Sequence, residues 1–155
     1  DDGWDKGSWA WKTSRGGEDT PDGAPDARAT NRDGNDIMDE IAPAPQDIVI
    51  RKLKPSAFHG TPLASFLVNL GADSLIVTGT TTSGCVRASV LDAFSNNYRS
   101  VIVEEGCFDR SQASHAINLC DMQAKYADVV QMDTALDYIK SVDAEYNLPT
   151  GKSGG

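Results

Sequence analysis

Leu75-Ile76-Val77-Thr78-Gly79-Thr80-Thr81-Thr82-Ser83-Gly84-Cys85-Val86-Arg87-Ala88-Ser89-Val90-Leu91-Asp92-Ala93 is the stretch that decides how the chain is read. A short apolar run ends at Gly79, passes through small hydroxyl residues and reaches Gly84-Cys85. Val86, Val90, Ala93 and Phe94 then recur at the spacing of one helical face. The pattern predicts strand, tight loop and helix, with Cys85 on the first helical turn. A helix N-terminus carries partial positive charge, which favours the thiolate, and thiolate is the nucleophilic form. The N–H groups of that turn, with the preceding loop amide, offer donors for an oxyanion. Cys85 is therefore read as a catalytic nucleophile. The competing reading is a small buried thiol without chemistry, a common fate of free cysteine; the small neighbours Gly79 and Gly84 count against it.

With 155 residues, the chain has the length of one domain. Its three cysteines, Cys85, Cys107 and Cys120, are odd in number and lack paired spacing. A disulfide framework or a zinc site is not expected, and a reducing, cytoplasmic compartment fits. No metal and no cofactor is implied. No apolar run approaches 18 residues and no charged-then-apolar leader is visible, so a soluble protein without membrane contact is expected. The net charge of −9 argues against nucleic acid, because phosphate binding needs a basic surface.

That charge is unevenly spread. Residues 1–47 hold 5 Lys and Arg against 12 Asp and Glu, or −7, and the remainder holds 9 against 11, or −2. The acidic segment is rich in Gly, Pro and Asp and reads as loop, with a short helix near Asp36–Ile41. It also carries Trp4, Trp9 and Trp11, which fit either surface packing or a pocket wall. Residues 48–142 read as the α/β core and residues 143–155 as a flexible tail. The tail's Gly151-Lys152-Ser153 lacks the upstream glycine and strand of a phosphate loop.

Within the core, Ile48–Arg51 predicts a strand. Thr61 caps a helix with Pro62 at its first position, Leu63, Phe66, Leu67 and Leu70 on its buried face, and Gly71 at its end. Strands at Ser74–Thr78, Ser100–Val103 and Asp128–Gln131 follow. They alternate with the Cys85 helix, a helix over Ser114–Lys125 and another over Asp133–Ser141. This alternation predicts an α/β fold, a parallel sheet with helices on both faces. Ligand sites in such sheets form at the carboxyl ends of the strands. Lys52, Cys85 and Asp109-Arg110 all fall on that edge. An ammonium from Lys52 beside Cys85 would favour the thiolate and steady developing negative charge. His115 can cap, pack or line the pocket.

Taken together, the residues resemble the isochorismatase-like cysteine hydrolases, in the branch of the N-carbamoylsarcosine and maleamate amidases. The resemblance rests on Lys52, on Ser56-Ala57-Phe58-His59-Gly60-Thr61-Pro62-Leu63, and on Val77 through Arg87. Asp109-Arg110, His115, Asn118-Leu119, Asp121 and Lys125-Tyr126-Ala127-Asp128-Val129 extend it. It covers about residues 39–140, and the tryptophan-bearing start more weakly. It implies the isochorismatase-like, Rossmann-like fold and a Cys-Asp-Lys triad that hydrolyses an amide or ureido C–N bond of a small-molecule substrate. Cys85 matches the nucleophile and Lys52 the triad lysine. The Thr80-Thr81 peptide matches a cis bond whose neighbouring amides form the oxyanion hole with that of Cys85. Arg110 matches a position near the substrate pocket and could hold a carboxylate; Phe58 and His115 are taken with it as candidate substrate-binding residues.

The resemblance also exposes a departure. The family's aspartate stands at the end of a first apolar strand, and no such run precedes Ile48. The first strands of the sheet are therefore expected to be missing. Leaving them out would bare ladder groups and apolar faces. A homo-oligomer or a complementing N-terminal chain is the expected remedy. The alternative from another class is a non-catalytic binding or assembly subunit.

Overall fold

The computed structural model describes residues 37–142. The chain divides into two compact units between Val49 and Ile50. In the first, the helix expected near Asp36–Ile41 is a single 3-10 turn, Asp39–Ile41. Beyond it the Asp47 carboxylate accepts the Ala44 amide at 2.8 Å. The tryptophan-bearing segment and the tail lie outside the described residues.

The strand expected at Ile48–Arg51 is absent: these residues have irregular backbone. High β propensity supplies no ladder of its own, and an apolar run becomes a strand only beside another one. Regular order in the second unit begins with helix α1, Leu63–Leu70. The Thr61 hydroxyl accepts the Leu63 amide at 3.2 Å, but the N-cap position is held by Pro62, expected at the first helical position, so the cap lies one residue later than Thr61. Gly71 closes it in the left-handed region at φ 64°, where a Cβ would be strained. Leu67 is the buried residue of α1.

Three parallel strands follow in the order β1 (Ser74–Thr80), β2 (Arg99–Phe108) and β3 (Asp128–Val130). Between them run α2 (Arg87–Ser95) and α3 (Gln112–Lys125), with α4 (Met132–Ser141) last. β2 extends well past the expected Val103 because the register slips. Val77 pairs with Ile102 but Gly79 pairs with Cys107, so β2 advances five residues while β1 advances two. Gly79, at φ 129°, absorbs the slip in a conformation that side chains disfavour.

Side chains alternate across a strand, and the two faces of β2 are clothed differently. Ile102 packs with Val86, Val90, Leu119 and Met122, which places α2 and α3 on one face. Val101 and Val130 line a cavity with Ala135 and Tyr138, which places α4 on the other. Helices thus cover both faces of a parallel sheet, as the alternation of elements predicts.

The cover stops short of β1. None of its residues is buried, and Ile76 is 40 % exposed. Open cavities flank it on both sides, about 400 Å³ next to α1 and α2 and about 350 Å³ next to α4. Among the described residues β1 has one neighbour, so its outer edge is unpaired. No helix among them is long and apolar enough to cross a membrane.

Candidate active site

The loop after β1 turns sharply. The Thr80–Thr81 peptide is cis, and Thr82–Val86 forms a wide turn in which the Thr81 carbonyl accepts the amides of Gly84 (3.0 Å) and Val86 (3.2 Å). Cys85 therefore stands on this turn, immediately before α2, and not on the first turn of an α-helix. The reason lies in Gly84. A Cβ there would sit 2.6 Å from the Thr81 hydroxyl, so any larger residue would make the turn or the Thr81 side chain shift.

Two anchors behind the turn hold it in place. Thr82 is fully buried and its hydroxyl lies 2.8 Å from Nδ1 of His115 on α3. The Ser83 amide donates to Oδ2 of Asp109 at 2.7 Å. Asp109 is buried just past the end of β2, and its Oδ1 accepts the Arg110 amide. The Ser83 hydroxyl is the main influence holding the Asp109 carboxyl below the usual carboxylate range. The amides of Ser83 and Arg110 and the Arg110 charge assist it against the cost of burial. Arg87, next to the turn, donates to Asn118 and faces Asp121, which ties the start of α2 to α3.

In front of the turn lies Lys52. Its Nζ donates to the Lys54 carbonyl at 3.1 Å and reaches Sγ of Cys85 at 3.2 Å. Ser89, one turn beyond Cys85 on α2, accepts the Ala57 amide at 3.0 Å and fastens the Lys52-to-Gly60 loop over the helix. The 400 Å³ cavity opens here, lined by Lys52, Phe58, Thr80 and Cys85 with the apolar flank of β1 and Leu67 of α1.

Of the residues singled out from sequence, Lys52, Cys85, Phe58 and Thr80 meet at this cavity. Thr81 supplies the carbonyl that closes the turn. His115 stands behind the turn on Thr82 and is not among the cavity's lining residues. Arg110 is exposed at the end of β2, likewise outside that lining. Ser83, Ser89 and Thr82 were not anticipated. Ser89 carried a faint signal, since position i+4 from Cys85 shares its helical face. The partners of Thr82 and Ser83 come from distant segments and left none.

The Isochorismatase domain matches residues 9–134. The chain belongs to the isochorismatase family. It is 37% identical over 104 residues to the maleamate amidohydrolase of Pseudomonas putida, covering 67% of this chain and 49% of that one. It is 42% identical over 106 residues to the N-carbamoylsarcosine amidase of an Arthrobacter species, covering 68% and 40%. An isochorismatase family protein from Desulfovibrio vulgaris superposes with a TM-score of 0.66 at 33% identity, over 72% of this chain and 58% of that one. The N-carbamoylsarcosine amidase of Thermoplasma acidophilum gives 0.59 at 31%, over 65% and 57%. This isochorismatase-family chain thus spans less than half the length of either curated relative.

Proposed function

We propose that the chain carries the nucleophile of a cysteine-dependent amidohydrolase. The bond cleaved is an amide or ureido C–N bond in a small carboxylate-bearing substrate of the N-carbamoylsarcosine or maleamate kind. The observation that carries this reading is the 3.2 Å approach of the Lys52 ammonium to the Cys85 thiol at the mouth of an apolar cavity. An adjacent cation favours the thiolate, the form that attacks. Sγ adds to the carbonyl carbon, and the oxyanion that forms meets the amide of Cys85 and those beside the Thr80–Thr81 peptide. The C–N bond then breaks, the nitrogen leaves with the proton the thiol gave up when Sγ attacked, and the acyl group remains on Cys85 as a thioester. Water adds to that carbon, the C–S bond breaks, and the acid and the thiol are released. Phe58 supplies an apolar wall and Arg110 a partner for the substrate carboxylate. His115 acts on the pocket through Thr82. Three free thiols fit a reducing, cytoplasmic setting.

The edge of β1, unpaired among the described residues, supports a second part of the proposal: a further strand, from another copy or from a complementing chain, completes the sheet and brings the triad aspartate. The same edge supports the rival reading, a binding or assembly subunit without turnover. Intact mass spectrometry after mixing the chain with an N-carbamoyl or maleamic amide substrate separates them. An acyl adduct on Cys85 with release of ammonia is expected of the enzyme. Unmodified Cys85 and no ammonia, with and without the complementing segment, would leave the binding subunit.

A further inference from the structure

The turn bearing Cys85 uses two of its amides on the Thr81 carbonyl, and the Ser83 amide lies outside that pattern. Ser83 is an exposed residue, yet its amide takes an acceptor from the protein rather than from solvent. The one it has is a carboxylate at 2.7 Å, short enough for a charge-assisted bond. Asp109 is itself placed with little freedom, since it follows Phe108, which is paired in the sheet with Thr80, and its second oxygen is held by the Arg110 amide.

We infer that Asp109 is a positioning residue, a buried carboxylate that grips the Ser83 amide and thereby sets the distance between Cys85 and Lys52. This rests on the reading of Cys85 as the nucleophile. Two consequences follow from the geometry. The Ser83 amide is engaged by Asp109 and is not an oxyanion donor, so that role passes to the amides of Cys85 and the Thr80–Thr81 loop. Asp109, although it is the buried carboxylate joined to the nucleophile's turn, does not line the cavity and has its oxygens turned to Ser83 and Arg110. It is not the general base. A carboxylate in that role would have to reach the reacting atoms.

The test uses the full 155-residue chain and reads geometry without needing turnover. Cys120 is exposed and serves as an internal standard for alkylation by iodoacetamide. In Asp109→Ala the Cys85-to-Cys120 labelling ratio should fall about tenfold, because Cys85 is no longer held 3.2 Å from the Lys52 ammonium. Asp109→Asn keeps an acceptor for Ser83 and should recover at least half of the wild-type ratio. A ratio unchanged in folded Asp109→Ala would overturn the inference. Should both variants fail to fold, the wild-type chain still decides. Its Ser83 amide proton should resonate downfield of the Gly84 and Val86 amides and be protected from exchange, and an unprotected, upfield Ser83 amide would overturn it. Turnover retained by Cys85→Ala would instead sink the proposed function while leaving the Ser83–Asp109 signature in place, so the two failures are distinguishable.

Discussion

The Lys52 ammonium lies 3.2 Å from the Cys85 thiol across 33 positions of sequence, and it is held there from both ends. The Lys54 carbonyl takes a second proton of the ammonium, and Ser89 pins the intervening loop to α2. A long flexible side chain loses rotamer freedom when so confined. The contact persists because backbone anchors, and not the pair alone, fix both partners.

Cys85→Ala is expected to abolish amide hydrolysis in the completed enzyme and to leave the fold intact, since Cys85 is only half-buried. Cys120→Ala, at an exposed position, should leave turnover near wild type. Ammonia release measured on both variants checks this, and equal rates for Cys85→Ala and wild type would refute the assignment.

Lys52→Met keeps the aliphatic stem and removes the charge. Alkylation of Cys85 at neutral pH should slow by about tenfold. Lys140→Met, on a surface lysine 73% exposed, is the control and should leave the rate unaltered. The ratio of the two rates is the measurement, and a value near one would show that no coupling exists.

Gly84→Ala places a methyl 2.6 Å from the Thr81 hydroxyl, inside any tolerable contact. The turn must open or Thr81 must move, at a cost of about 1–3 kcal/mol. A lowered urea midpoint together with slower Cys85 alkylation is expected. An unchanged midpoint would mean that the turn yields freely.

The Asp109 carboxyl titrates below its ordinary value of 3.8 in the folded chain, chiefly through the Ser83 hydroxyl. A depressed folded value means that its stabilising contribution is fully present above about pH 4. It is lost as pH falls through the lower, folded value. Acid unfolding curves should therefore flatten in Asp109→Asn on that limb alone. Parallel curves for variant and wild type below pH 4 would contradict the sign.

Hydrogen exchange should rank the strands. Amides of Ile102 and Val103 lie in the centre of the sheet, with buried side chains, and should be strongly protected. The outward amides of Ser74–Thr80 should exchange quickly until a further strand or copy binds. Strong protection of Ser74–Thr78 in a monodisperse monomer would show that the edge closes without help.

Much of this architecture is local and was legible in the sequence. Thr61, Pro62 and Gly71 frame α1 through capping and left-handed backbone, which depend on neighbours a few residues away. Leu119 and Met122 share a helical face, and Ile102 and Val103 alternate across a strand, because those periods are properties of the backbone. The run from Val77 to Arg87 marked Cys85 for the same reason: small residues and a following helix shape the loop from within. Tertiary structure alone decided what depends on a partner from elsewhere in the chain. Ile48–Arg51 has the composition of a strand but no ladder, since backbone hydrogen bonds belong to pairs of strands. The slip that carries β2 to Phe108, the hold of Asp109 on Ser83 and the approach of Lys52 to Cys85 are of the same kind. Each joins segments more than twenty residues apart, and no period or motif encodes a distance that only the packed sheet establishes.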